Sequence, residues 1–228
     1  MNNEIKIIKI NAGRSNVYFI KNKSSCIMVD AGFSGLNKII NIANANDINL
    51  KKIDMLILTH THYDHVNLLH ELNKIIYTEI LVHNAGERFL KFGQTPVPYS
   101  RNILGKFLLL MSRIGGPSKF DPVVPDTLID GDYNTAKFGF DLSIIPTPGH
   151  TEDSVSVIID KKFAFVGDTI FNIFPMTIYP IFVDNREQLQ LSWKRLLDLQ
   201  CEYYFPGHGK KISFDRLKSD YERVFGKK

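Results

Sequence analysis

The chain has 228 residues, 44% of them hydrophobic and 23% charged, with a formal net charge of +4. That balance suits a globular protein large enough to bury a core, compatible with one domain over residues 1–228. It excludes a membrane span, because no run of about 18 apolar residues exists, and the mild positive charge establishes no specific nucleic-acid binding.

Residues 4–30 read as three short strands, with turns at 11–14 and 21–23. Met1 to Glu4 is polar and runs straight into Ile5–Ile10, without the basic region and long apolar stretch of a signal peptide, so a cytoplasmic location is expected. Cys26 and Cys201 are expected to be buried free thiols rather than a disulfide framework. Leu36, Ile39, Ile40 and Ile42 carry helical spacing over 34–46. A strand is expected at 54–59, a helix through Leu68, Leu69 and Leu72, a strand at 80–82 and a helix at 84–91. Strands recur at 136–145, 154–159 and 162–166. Leu189, Trp193, Leu196 and Leu197 mark a helix over 185–198, and a last helix is expected over 213–225. There are no internal repeats and no low-complexity linkers.

Directly after the apolar run Met55-Leu56-Ile57-Leu58 comes Thr59-His60-Thr61-His62-Tyr63-Asp64-His65. Four metal-capable side chains crowd into six residues and break any apolar periodicity. Neutral imidazole and carboxylate suit zinc, and also manganese- or iron-like ions. In extended backbone His60 and His62 point the same way and can close on one ion. If a helix begins near Asp64, then Asp64 and His65 turn towards a neighbouring position, so one strand-loop-helix could feed two ions. The alternative is a polar loop with chance histidines. Three later segments each end a strand in a glycine-containing turn that bears a ligand-type residue: Pro146 to Thr151 with His150, Val166 to Thr169 with Asp168, and Tyr204 to Gly209 with His208. Glycine lets such a backbone take positive φ and approach an ion. Five of the seven histidines fall in these segments, leaving His70 and His83.

With those motifs in order, and Asp30 in Val29-Asp30-Ala31-Gly32 ahead of them, the sequence resembles the metallo-β-lactamase superfamily, in its binuclear hydrolase branch of glyoxalase II-like and lactonase-like proteins. The resemblance runs from about Ile7 to His208. It implies an α/β, four-layer αββα sandwich with all motif turns along one edge. It also implies two divalent ions, zinc first, with iron or manganese as alternatives. By carry-over, His60, His62 and His150 look like the first metal site, and Asp64, His65 and His208 like the second. Asp168 looks like the carboxylate between them, and Asp30 like a residue that orients the ligand loop. A water between the ions would lose its proton near neutral pH and attack an electrophilic carbonyl or phosphorus, with Asp64 or Asp168 able to take a proton. Redox diiron relatives commonly carry Glu where this chain has His62, which favours hydrolysis. The chain departs from many relatives at Asn67-Leu68, where they have glycines, and at Glu152-Asp153, where they have a small residue and glycine.

The implied substrate is a small carboxylic ester, thioester or lactone, anionic or acyl-bearing. A phosphodiesterase acting on nucleotides or phospholipids is the alternative enzyme, and a non-catalytic metal-containing binding module the alternative outside enzymes. Only twenty residues follow His208, so the long C-terminal helical domain of glyoxalase II is not expected; nor is the inserted domain of the RNA-processing branch. Residues at about 88–119 are extra. Their charged residues are all basic (Arg88, Lys91, Arg101, Lys106, Arg113 and Lys119), and Ile103, Leu104, Phe107, Leu108 and Met111 have helical spacing. This stretch could be a lid over the site, a helix packed into the core, or a homodimer interface. Tyr63, His83 and Tyr179 are candidate substrate contacts. Each has a bland counterpart as a packing or surface residue, as does His70, and the basic Lys210, Lys211, Arg216 and Lys218 read as a solvated face.

Overall fold

Period-two alternation along the strands dictates the layers. In Ser15–Lys21, Val17 and Phe19 join one apolar cluster while Tyr18 and Ile20 join another. The computed structural model describes residues 4–96 and 119–226. Its first sheet runs β1 (Lys6–Ala12), β2 (Ser15–Lys21), β3 (Cys26–Val29), β4 (Met55–Ile57), β5 (Ile80–His83) and β6 (Thr127–Ile129), in that spatial order. Strands β1 to β3 are antiparallel neighbours, and β3 to β6 are parallel. The second sheet is built from β7 (Tyr133–Thr135), β8 (Leu142–Pro146), β9 (Val155–Ile159), β10 (Phe163–Asn172), β11 (Tyr203–Gly209) and β12 (Ile212–Ser213), again neighbours in sequence order. All its pairs are antiparallel except β10 with β11.

The sheets pack face to face through Tyr18, Ile20, Ile27, Val29, Met55, Ile57 and Leu81 from the first and Leu142, Ile144, Val155, Val157, Phe165 and Phe205 from the second. Phe165 and Phe205 stack at 4.8 Å, and Tyr18 meets Phe165 edge-on at 5.1 Å. On the outer face of the first sheet lie α1 (Leu36–Ala45), α2 (Tyr63–Val66), α3 (Leu69–Ile76) and α4 (Glu87–Phe92). The second sheet is covered by α5 (Arg186–Asp198) and α6 (Phe214–Phe225). Leu189, Trp193 and Leu196 form the buried stripe of α5, whose start is capped by the Asn185 side chain accepting from Gln188 N–H. The sandwich of two mixed sheets flanked by helices is the expected αββα architecture.

Several local expectations change. Of the strand expected over 136–145 only the second half forms, as β8, after a turn at 136–141, and β6, β7 and β12 are additional short strands. The strand expected at 162–166 continues to Asn172, with register shifts against β11 on both sides of Gly167. The helix after the histidine cluster breaks into α2 and α3, because Leu68 N–H bonds to Gly32 O and Asn67 Nδ2 to Phe33 O. The helix expected at 84–91 opens as a 3₁₀ turn. Cys201 is buried, but Cys26 is only half-buried. Most of the basic stretch weighed as a lid, a core helix or a dimer interface, including Arg101, Lys106 and Arg113 and the stripe from Ile103 to Met111, lies outside the described residues. Among the described residues no helix is long and apolar enough to cross a membrane.

Candidate metal centre

The parallel run β3–β4–β5 brings the C-terminal ends of these strands to one edge, and the loop after β4 meets the second sheet there through Val155 N–H bonding to Thr59 O at 2.8 Å. His60, His62, His150 and Asp168 form one compact group, and Asp64, His65 and His208 another; within each, ligand-type atoms lie within 4.8 Å of one another. Asp168 faces both groups. Its Oδ1 lies 3.3 Å from His65 Nε2, and its Oδ2 lies 3.2, 3.5 and 3.8 Å from Nε2 of His208, His150 and His60. It occupies the irregular stretch of β10, where a bulge re-aims a side chain.

Backbone geometry makes this convergence possible. Gly149 has φ 132°, and a Cβ there would meet Leu189 N at 2.4 Å, so the turn bearing His150 accepts only glycine against the start of α5. At Gly207 a Cβ would fall 2.3 Å from Asp168 Oδ1 and 2.6 Å from His65 Cε1, so the missing side chain leaves room between two ligand-type groups. The turn before His208 is held by the first sheet: Tyr18 OH donates to Pro206 O at 2.7 Å, and Asn16 Nδ2 donates to Pro206 O and Gly209 O.

The ring nitrogens are oriented by partners outside the cluster. Asp30, buried with φ 62°, accepts at Oδ1 from Thr59 N–H at 2.8 Å and at Oδ2 from His65 Nδ1 at 2.8 Å. Thr59 Oγ1 donates to Asp30 and accepts from His60 Nδ1 at 3.1 Å. His150 Nδ1 donates to Phe182 O at 2.8 Å. His60 and His150 therefore spend their Nδ1 proton outside the cluster and turn an Nε2 lone pair inwards, as a metal ligand requires, and the bond to Asp30 aims His65 Nε2 the same way. His62 presents Nδ1, 2.8 Å from His150 Nε2.

Electrostatics divide the cluster in two. Burial drives His60 and His150 below the ordinary imidazole range, and burial, then competition with the adjacent His150 imidazole for a proton, takes His62 down to about 3. These three are neutral donors. Burial also disfavours charge at His65 and His208, but carboxylates outweigh it. Asp168, Asp30 and Asp64 hold His65 well above its ordinary value, and Asp168 with Asp64 holds His208 up to about 10. Burial opposes ionisation of Asp64, yet the His65 charge and the His208 contacts bring it to about 2. The buried Nε2 atoms of His60, His62 and His65 and Oδ1 of Asp168 have no hydrogen-bond partner. Converging imidazoles, orphaned buried polar atoms and the two carboxylates Asp64 and Asp168 are a donor set that fits divalent cations.

Of the other residues singled out from sequence, none joins these groups. Tyr63 packs edge-on against Phe33 at 5.6 Å, with Arg14 over the other ring at 4.5 Å. His83 is half-buried, and its Nδ1 accepts from Ala85 N–H. The Tyr179 ring lies 6.3 and 6.2 Å from Trp193 and Phe225, in the helical layer over the second sheet. Sequence reasoning missed Thr59 and Thr61, although their alternation with His60 and His62 placed them on the opposite side of an extended chain, where anchors belong.

Comparison with known proteins agrees with this architecture. The family model described as the metallo-β-lactamase superfamily matches residues 10–208. The metallo-β-lactamase fold-containing protein ST1585 of Sulfurisphaera tokodaii is 26% identical over 219 residues, covering 93% of this chain and 79% of that protein. Hydroxyacylglutathione hydrolase GloC of Haemophilus influenzae is 30% identical over 170 residues, 73% of this chain and 72% of its own. The crystal structure of ST1585 superimposes with a TM-score of 0.72 at 22% identity, covering 97% of this chain and 87% of that one. The BLEG-1 B3 metallo-β-lactamase gives 0.75 at 19%, covering 97% and 100%, a likeness of fold. A family match over nearly the whole chain thus coincides with converging histidines and aspartates at one sheet edge: the chain belongs to the metallo-β-lactamase superfamily and carries the His/Asp metal site of a metallo-hydrolase.

Proposed function

We propose that the chain is a binuclear hydrolase of small carboxylic esters, thioesters or lactones. The observation that carries this reading is Asp168, whose Oδ2 faces His60 and His150 of one group and His208 of the other, while its Oδ1 faces His65. His60, His62 and His150 would hold one ion, Asp64, His65 and His208 the second, and Asp168 both. Two divalent ions, zinc first for this donor set and iron or manganese as alternatives, would polarise a carbonyl oxygen and lower the pKa of a water towards about 7.

The chain's own residues set the direction of approach. His60, His65 and His150 are sealed, whereas the His208 and Asp64 side chains are 12% and 23% exposed, so substrate reaches the centre on their side. Asp64 lies at that opening as a carboxylate whose pKa the neighbouring imidazoles bring to about 2, so it would orient the attacking water more than keep its proton. Asp168, sealed and facing four imidazoles, holds the two halves in register. The thioester class is supported by the 30% identity to a protein named as a hydroxyacylglutathione hydrolase. The test is turnover by metal-analysed protein on thioesters, esters, lactones and phosphodiesters. Hydrolysis of a carbonyl substrate by protein with two ions is expected; turnover of phosphodiesters alone would replace this reading with the phosphodiesterase one.

A further inference from the structure

Asp153, just beyond the turn that bears His150, is a carboxylate that the proposed chemistry does not use. Asp153 is 1% exposed. Its Oδ2 accepts two hydrogen bonds from a single residue, Thr61 N–H at 2.9 Å and Thr61 Oγ1 at 2.7 Å. Thr61 is fully buried and stands between His60 and His62. The other side of the same peptide segment is also tied down: Thr95 Oγ1 donates to Thr61 O at 3.2 Å and accepts from Tyr63 N–H at 3.1 Å. Space for the carboxylate comes from Gly86, where a Cβ would meet Asp153 Oδ2 at 2.8 Å and Thr61 Cγ2 at 3.0 Å.

We propose that Asp153 is a positioning residue for the first group of ligands, acting through Thr61 on His60 and His62 together. Neighbours in extended backbone point to opposite sides. Fixing both the amide and the hydroxyl of Thr61 on one side therefore fixes the direction of the two imidazoles on the other. Asp30 acts differently: it reaches His65 directly and His60 through Thr59, touching both groups. No hydrogen bond or ion pair joins Asp153 to Asp64, His65 or His208, so its influence falls on one half of the centre. A buried carboxylate is retained only where it is well hydrogen-bonded, and here both donors belong to the ligand segment.

The inference rests on the two-ion reading, and one experiment separates them. Zinc affinity is measured by competition with a chromophoric chelator on stripped and refilled protein, alongside total zinc. Wild-type protein should take up two ions. Asp153→Ala should weaken one of them about 10–100-fold, the usual effect of losing a partner behind a ligand, and leave the other within about two-fold. Asp153→Asn, which keeps one acceptor for Thr61, should fall between. Gly86→Ala presses on the same carboxylate from another element and should weaken the same ion. Should Asp153→Ala fail to fold, these two variants carry the test. A purely structural role would lower thermal stability and leave both affinities alone, or loosen both equally; either outcome overturns the proposal. A wild-type chain that binds fewer than two ions overturns the two-ion reading, and this inference with it.

Discussion

Gly207→Ala places one methyl group between Asp168 and His65. The new carbon would lie 2.3 Å from Asp168 Oδ1 and 2.6 Å from His65 Cε1, when ordinary contact begins at 3.4 Å. The shortfall at Asp168 is about 1.1 Å. Backbone strain does not confuse the result, because Gly207 is absent from the glycines with positive φ. Neither neighbour can yield freely: His65 is pinned through Nδ1 to Asp30, and the turn itself is held by Tyr18 and Asn16. Metal–ligand bonds tolerate errors of about 0.2 Å, so a shift near 1 Å breaks the bond, and a misplacement of that size costs about 100-fold in rate. The variant should retain about one ion or fewer by elemental analysis and lose at least about 100-fold in kcat/KM on the best ester or thioester. Its metal-free fold should lose about 1–3 kcal/mol to the same overlap, so metal content is measured on protein shown to be folded. Gly131→Ala, where nothing lies within 4 Å of the added carbon, is the matched control. Two tightly held ions and turnover within a few-fold of wild type in Gly207→Ala would refute the assignment of this gap to a metal.

Asp168→Ala removes the one carboxylate that faces both groups, so both ions should be lost in parallel and hydrolysis abolished while circular dichroism stays native; retention of two ions would disprove the shared role. In metal-free protein His208 has its pKa raised to about 10 against an ordinary 6.5, by Asp168 and Asp64 acting against burial. A raised imidazole pKa stabilises the fold fully below about pH 6.5 and loses that contribution as pH rises through about 10. A cation competes with that proton, so chelator-measured affinity should climb from pH 6.5 towards 10, and a flat profile would contradict it. Tyr18→Phe deletes the bond across the two sheets to Pro206 O, which keeps its second donor Asn16, and should destabilise by about 0.5–1.5 kcal/mol in denaturant titrations; an unchanged midpoint would show that Asn16 alone suffices. Trp193→Ala empties a fully buried site and frees the Thr169 carbonyl, with an expected loss of about 3–5 kcal/mol and retained metal content.

The seven ligand-type residues were legible in the chain because metal chemistry draws on few residue types. Five of the seven histidines stand in three short segments that follow apolar runs, and such crowding breaks the periodicity that packing imposes. The strands and helices with strong apolar patterns, such as β2 and α5, were legible for the same reason. Short or irregular pieces were not. The break between α2 and α3 depends on a carbonyl at Gly32, distant in sequence, and β12 is only two residues long, too short to carry a pattern of its own. Only the tertiary structure decided which nitrogens face inwards, because Asp30, Thr59 and the Phe182 carbonyl reach their histidines from other segments. The same holds for Asp153, an unremarkable acidic residue in sequence that becomes an anchor because folding carries it to Thr61, 92 positions away. Residue type settles what a side chain can do; hydrogen bonds across distant segments settle which of those things it does.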